Sequence, residues 1–413
     1  MKNFLFLLVI FLVILGSFSL TMAQNKPPIA IKKPKIDKLH GETRVDDYYW
    51  LKEKTNPEVI SYLEAENTYT DSVMKPYEVF QENIYKEIVG RIKETDLSVP
   101  YRNGNYFYYN RTEQGKQYGI FCRKQASPNA QEEVLLDLNE MAKGQQFMSL
   151  GGSDISPDGK KLAYSTDTTG FRQYKLYIKD LETGKISPET RERVTSIQWA
   201  ADNKTLFYVT EDAQTKRSNQ LYRHQLGQEK DDLIYEEKDE LYRLGVYQSS
   251  SKAYIFATSS SSTTSECRYL PSNQPNGEWK LLIARQEGHE YYPDHHSGDN
   301  FYIRTNLEAK NFRLINAAIN DSDKRNWREI IPHRDSVTLE SVRFFANHYF
   351  VYEREDGLQK MRITDLRTGN FHQIQFPDPI YGAFPNANVE FNTNIFRFSY
   401  QSFITPNSVF DYN

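Results

Sequence analysis

Seven aromatic strand cores recur along this chain at nearly constant intervals, and few folds accommodate such a beat. They are Tyr106-Phe107-Tyr108, Leu162-Ala163-Tyr164, Leu206-Phe207-Tyr208, Tyr254-Ile255-Phe256, Phe301-Tyr302-Ile303, Tyr349-Phe350-Val351 and Phe396-Arg397-Phe398. Their first residues lie 56, 44, 48, 47, 48 and 47 apart. Turn formers precede most of them, among them Gly104-Asn105, Asp158-Gly159-Lys160, Asp202-Asn203-Lys204 and Gly298-Asp299-Asn300. Several lead into a second strand that closes on a turn such as Asp180-Leu181-Glu182-Thr183-Gly184 or Asp365-Leu366-Arg367-Thr368-Gly369. A β-sandwich would repeat its strands every ~8–12 residues without a longer period. A unit near 47 residues with several short strands is instead the signature of a propeller blade. The sequence therefore predicts a mainly β protein, a seven-bladed β-propeller over 96–413. The 29 Tyr and 24 Phe suit it, because aromatic side chains fit half-buried pleated surfaces.

The residues ahead of the ring read differently. Lys2, the 12-residue apolar run Phe4 to Leu15, and Thr21-Met22-Ala23 match a secretory signal peptide over 1–23, so export to the periplasm or medium is expected. The alternative is an uncleaved anchor, for which the run is short. Residues 24–95 read as a linker and a helical segment, with Pro27-Pro28 through Lys38 too poor in apolar residues to fold alone. Asn56 is a good N-cap and Pro57 a good first residue for a helix through Val73. Phe80, Ile84, Ile88 and Ile92, at i, i+4 steps, predict a second helix with a continuous apolar stripe. Both helices need a partner surface.

The chemistry is largely a record of exclusions. A net charge of −4 argues against nucleic-acid binding, which calls for a clustered basic excess. Two cysteines exclude a disulfide scaffold or a zinc ribbon. Cys122 and Cys267, on outer strands of the first and fourth blades, are expected as separate buried thiols. There is no Gly-x-Ser-x-Gly; Gly151-Gly152-Ser153-Asp154-Ile155 lacks the last glycine. No phosphate-cradling loop and no His-Glu-x-x-His occur, so no cofactor is expected. His289, Glu290, Asp294, His295 and His296 are dense but fit no metal-ligand spacing, and are expected between strands of one blade as hydrogen-bonding loop residues rather than a metal site. Ser259 to Ser265 reads as a polar strand and turn.

One set of residues resembles a known family. His40-Gly41-Glu42-Thr43-Arg44-Val45-Asp46-Asp47-Tyr48-Tyr49-Trp50-Leu51 and Tyr62-Leu63-Glu64-Ala65-Glu66-Asn67 are similar to the N-terminal hallmark of the prolyl oligopeptidase family of serine peptidases. Phe147-Met148-Ser149-Leu150-Gly151-Gly152, Arg172-Gln173-Tyr174, Leu233 to Asp239, Thr263 to Glu266, His289-Glu290-Tyr291 and Phe398 to Pro406 resemble its oligopeptidase B branch. The resemblance runs from about Pro34 to Asn413. It implies a propeller that covers an active site and admits short peptides, with cleavage after Lys or Arg by a C-terminal α/β-hydrolase domain carrying the Ser, Asp and His triad. No catalytic residue is assigned to this chain, which is read as the propeller portion, with the N-terminal helices packing on the hydrolase domain. Family members carry two adjacent arginines before Gln-Tyr at a contact between domains. Here the pair is Phe171-Arg172, so Arg172 alone matches as an interdomain contact. Its plainer reading is an exposed charge worth at most about 1 kcal/mol. Two functions follow: the gating portion of a secreted peptidase, or a stand-alone periplasmic propeller that binds a peptide or protein. Prolyl specificity is the second choice within the first.

Overall fold

The computed structural model describes residues 26–127, 129–321 and 323–413, so the leader read at 1–23 lies outside the described residues. The chain forms two compact units, the first ending at Lys93 and the second running Glu94–Asn413.

The first unit contains an element that composition had hidden. Within the stretch read as linker, Lys35–Leu39 pairs antiparallel with Glu42–Asp46. The two-residue turn between them uses His40 and Gly41, at φ 53° and 82°, the left-handed pair that a twisted hairpin demands. Trp50 is buried, and its indole Nε1 donates to Ile31 O at 2.9 Å, which ties down the preceding Pro/Lys stretch. Helix α1 spans Pro57–Met74; the Asn56 side chain accepts from Glu58 N at 3.0 Å, as a cap should. Helix α2 spans Glu78–Gly90, so Ile92 lies beyond its end and the apolar stripe is Phe80, Ile84 and Ile88. All three are exposed.

The second unit is a seven-bladed β-propeller. Its seven antiparallel sheets occupy 101–137, 149–180, 194–236, 243–283, 291–331, 337–373 and 381–412, numbered here as blades 1 to 7. Blades 2 and 7 have three strands and the others four, each an up-and-down meander. In blade 2 the place of a fourth strand is taken by bridges from Ile186 to Lys179 and from Arg191 to Leu176. The seven aromatic cores of the sequence period all fall on the second strand of their blade, an inner strand with neighbours on both sides. That position explains why the apolar signal is strongest there.

Blades hold one another through large side chains placed between them. Phe256 of blade 4 meets Phe301 of blade 5 edge to face at 5.3 Å, and Phe350 of blade 6 stacks on Phe396 of blade 7 at 3.8 Å. Each such side chain, fully buried, contributes about 1.5–3 kcal/mol. No strand is shared between blades 7 and 1. Their seam carries polar contacts instead: Arg397 Nη1 donates to Pro100 O at 2.7 Å, and Glu390 accepts from Gly104 N.

Candidate functional site

Two places on the ring gather side chains that local packing does not use up. The first is the face where the first strands begin. In a meander, the turns joining second to third strands lie on that same face, which is termed the entry face. Arg172 sits there, in the turn between Lys161–Asp167 and Lys175–Asp180. Asp167 builds this turn, accepting from Thr169 N and Oγ1 at 2.8 and 2.6 Å and from Arg172 N at 2.7 Å. Burial works against the Asp167 charge, yet these donors outweigh it and hold the carboxyl below its ordinary range. Arg172 is thereby locked at φ 56°, a left-handed conformation uncommon for a residue with a side chain. Its side chain is exposed and has no ion-pair partner among the described residues. Phe171, Leu241, Phe403 and Ile404 are exposed on the same face.

The turn also joins two distant segments. The Tyr174 ring lies over Gly151, at a bulge in the first strand of blade 2. A Cβ on Gly151 would come within 2.6 Å of both Tyr174 Cδ1 and Ser165 Oγ. Gly151→Ala is therefore expected to cost about 1–3 kcal/mol in urea unfolding, the usual penalty of overpacking. A loss below about 0.5 kcal/mol, the range of an ordinary surface change, would mean that Tyr174 swings away freely.

The second place is the central channel, where the first strands end. A cavity of about 530 Å³ lies at the mouth opposite the entry face, lined by residues of blades 1, 2, 3, 4, 6 and 7. Two carboxylates clasp neighbouring blades there. Asp154 Oδ2 accepts from Trp199 N at 2.8 Å and Gln198 Nε2 at 2.9 Å, joining blades 2 and 3. Asp294, on blade 5, accepts from Ser250 N at 2.7 Å and from the Ser250 hydroxyl on blade 4. Burial drives the Asp154 carboxyl up to about 7, against the pull of the Trp199 and Ile155 amides. A carboxyl raised in the fold contributes stability below its unfolded pKa and loses it as pH rises through the folded one. The thermal midpoint of Asp154→Asn, compared with wild type at about pH 4 and about pH 8, should thus shift in the variant's favour at the higher pH. A difference independent of pH would show that folding leaves the Asp154 pKa unshifted.

The His289 to His296 group is not between strands of one blade; Tyr291–His295 is the first strand of blade 5. Its members face different partners: His289 Nε2 meets Thr305 Oγ1 at 2.8 Å, His295 Nδ1 meets Ser251 Oγ at 2.7 Å, and His296 Nε2 meets Ala346 O at 3.1 Å. Among the described residues, no group of three or more His, Cys, Asp or Glu could hold a metal ion. Ser153 lies on the first strand of blade 2. Cys122 and Cys267 are free and buried on the third strands of blades 1 and 4. Within the serine run, Ser265 Oγ donates to Tyr291 O at 2.8 Å, a tie between blades 4 and 5. Sequence reasoning named Asp294 only as a loop residue of the histidine group and missed the roles of Asp154, Lys252 and Arg343, because a single charge on a strand or turn reads as a solvated face.

Comparison with known proteins fits this architecture. Residues 27–413 match the family model described as prolyl oligopeptidase, N-terminal beta-propeller domain. The chain is 36% identical to protease 2 of Moraxella lacunata, over 94% of its own length and 57% of the relative's. It is 35% identical to dipeptidyl aminopeptidase BI of Pseudoxanthomonas mexicana, over 95% and 57%. It thus spans little more than half of each. Among solved structures, oligopeptidase B from Leishmania major superposes with a TM-score of 0.85 at 28% identity, covering 94% of this chain and 58% of that one. By family match, identity and fold together, the chain belongs to the prolyl oligopeptidase family, matching its N-terminal β-propeller domain.

Proposed function

We propose that this chain is the substrate-gating propeller of an exported oligopeptidase B-like serine endopeptidase, which admits short peptides and cleaves them after Lys or Arg. In this reading an α/β-hydrolase domain supplies the triad and covers the entry face. The observation that carries the reading is the channel mouth opposite that face, where Lys252 Nζ of blade 4 reaches Asn103 Oδ1 of blade 1 at 3.4 Å. An opening that one lysine side chain can span excludes folded proteins on steric grounds. Similarity to protease 2 supports the oligopeptidase B branch over prolyl specificity. The exposed Phe171, Leu241, Phe403 and Ile404, beside an Arg172 without an ion-pair partner among the described residues, suit a face that another domain covers.

The purified chain should be combined with the hydrolase domain of the Moraxella lacunata relative and offered short peptides and a folded protein carrying the same cleavage sequence. Cleavage after Lys or Arg in the peptides alone is the expected result. Cleavage of the folded protein at a similar rate overturns gating, and cleavage after proline overturns the branch. Export is tested separately by mass spectrometry of the native protein, which should begin at Gln24; an intact Met1 rules it out.

A further inference from the structure

We infer that the channel mouth opposite the entry face is a subsite for the C-terminal carboxylate of an oligopeptide, held by Arg343 and Lys252. The inference rests on the peptide-gating reading and adds to it a place where the peptide is anchored.

The cavity wall holds unspent hydrogen-bonding capacity. Both cations line the cavity of about 530 Å³, a volume typical of small-ligand sites. Arg343, on the first strand of blade 6, is exposed and has no hydrogen bond or ion pair among the described residues. The carboxylate that acts on it electrostatically is Asp294. That group is already engaged by Ser250 N, Ser250 Oγ and His295 N. The acidic side chains that line the cavity are likewise committed. Glu390 accepts from Gly104 N, Asp158 from Ser156 Oγ and Lys160 N, and Asp154 from Trp199 N and Gln198 Nε2. Each of these carboxylates thus spends one oxygen within the wall, while the guanidinium donors of Arg343 are all open. An open guanidinium takes an acceptor, and the planar fork of an arginine matches a carboxylate with two parallel bonds.

The shape of the mouth selects a chain end. Lys252 stands at φ 62° in a turn that neighbouring groups fix. Its carbonyl accepts from the Ser272 hydroxyl at 2.7 Å, while Ser251 Oγ meets His295 Nδ1 at 2.7 Å on blade 5. From this fixed base its ammonium crosses to blade 1 and spends one donor on Asn103 Oδ1. The mouth is thus narrowed by a fixed lysine, with Arg343 lining the same cavity. A peptide that has passed this mouth and lies extended along the channel leaves one terminus at it, and a C-terminus carries the carboxylate that these donors lack.

The test uses the full chain and calorimetric titration with an N-acetylated alanine–glycine octapeptide, as its free acid and as its C-terminal amide. The free acid is expected to bind about tenfold more tightly than the amide. Arg343→Gln should bring the two affinities together with an unchanged thermal midpoint, and Arg343→Lys should restore part of the difference. Equal binding of acid and amide to the wild-type chain overturns the subsite while leaving peptide entry standing. Binding of neither overturns the peptide reading and the subsite with it. Displacement of the free acid by an equal concentration of inorganic phosphate would mark a simple anion site and overturn the assignment to a peptide terminus.

Discussion

Phe301→Ala is expected to remove about 3–5 kcal/mol of stability, the cost of deleting a large aromatic side chain from a packed core. Phe301 has no exposed surface and touches four rings. Tyr254, Phe256 and Tyr269 of blade 4 lie at 5.0, 5.3 and 5.0 Å, and His295 of its own blade at 6.0 Å. Most of these contacts cross from one blade to the next, so the cavity left by alanine opens exactly between two sheets that share no hydrogen-bonded ladder. Chemical denaturation should show the loss as a lower midpoint with an unchanged slope. A loss below about 1.5 kcal/mol, typical of volume-conserving swaps, would mean that the neighbouring rings collapse into the space.

Arg397→Ala is expected to cost about 1.5–3 kcal/mol, the range for hydrogen bonds made by a charged group. Its guanidinium binds Asp411 through two nitrogens at 2.6 and 2.8 Å and donates across the seam to Pro100 O at 2.7 Å. Asp411 is partly exposed and recovers water when the arginine leaves. The larger cost is therefore expected at the Pro100 carbonyl and at the join of the ring. Hydrogen exchange locates it: amides in Tyr106–Arg111 and Phe396–Ser402 should exchange about tenfold or more faster, with blade 4 little changed. A uniform acceleration around the ring would show that Arg397 serves overall stability and not closure.

The blade count was legible because it rests on a repeated physical constraint. Each second strand is flanked on both sides, so it needs continuous apolar character, and seven such strands impose seven visible maxima. The caps at Asn56 and the turns at Asp158 and Asp180 were equally plain, being local hydrogen-bond arrangements written in adjacent residues. The hairpin Lys35–Leu39 with Glu42–Asp46 was not, since its side chains are almost all exposed and only the His40-Gly41 turn signals it. Of the site, Arg172 was visible through resemblance, but its left-handed backbone and the Asp167 clasp were not. Lys252 and Asn103 are separated by 149 residues, and nothing in their local sequence shows that the ring brings them across one opening.

The unlaced seam has a consequence for the order of events during synthesis. In a ring whose last sheet borrows a strand from the first residues, the opening segment must wait unpaired until the end of the chain arrives. Here every sheet is made from one continuous stretch, and the pairings within it span only short loops. Such local ladders form quickly, and each finished unit offers its flank as a template for the next. Blade 1 has all of its strands by Asp137, long before the residues that will meet it from the other side exist. The chain is thus suited to fold progressively from its beginning, leaving a single late docking event that joins two surfaces already formed.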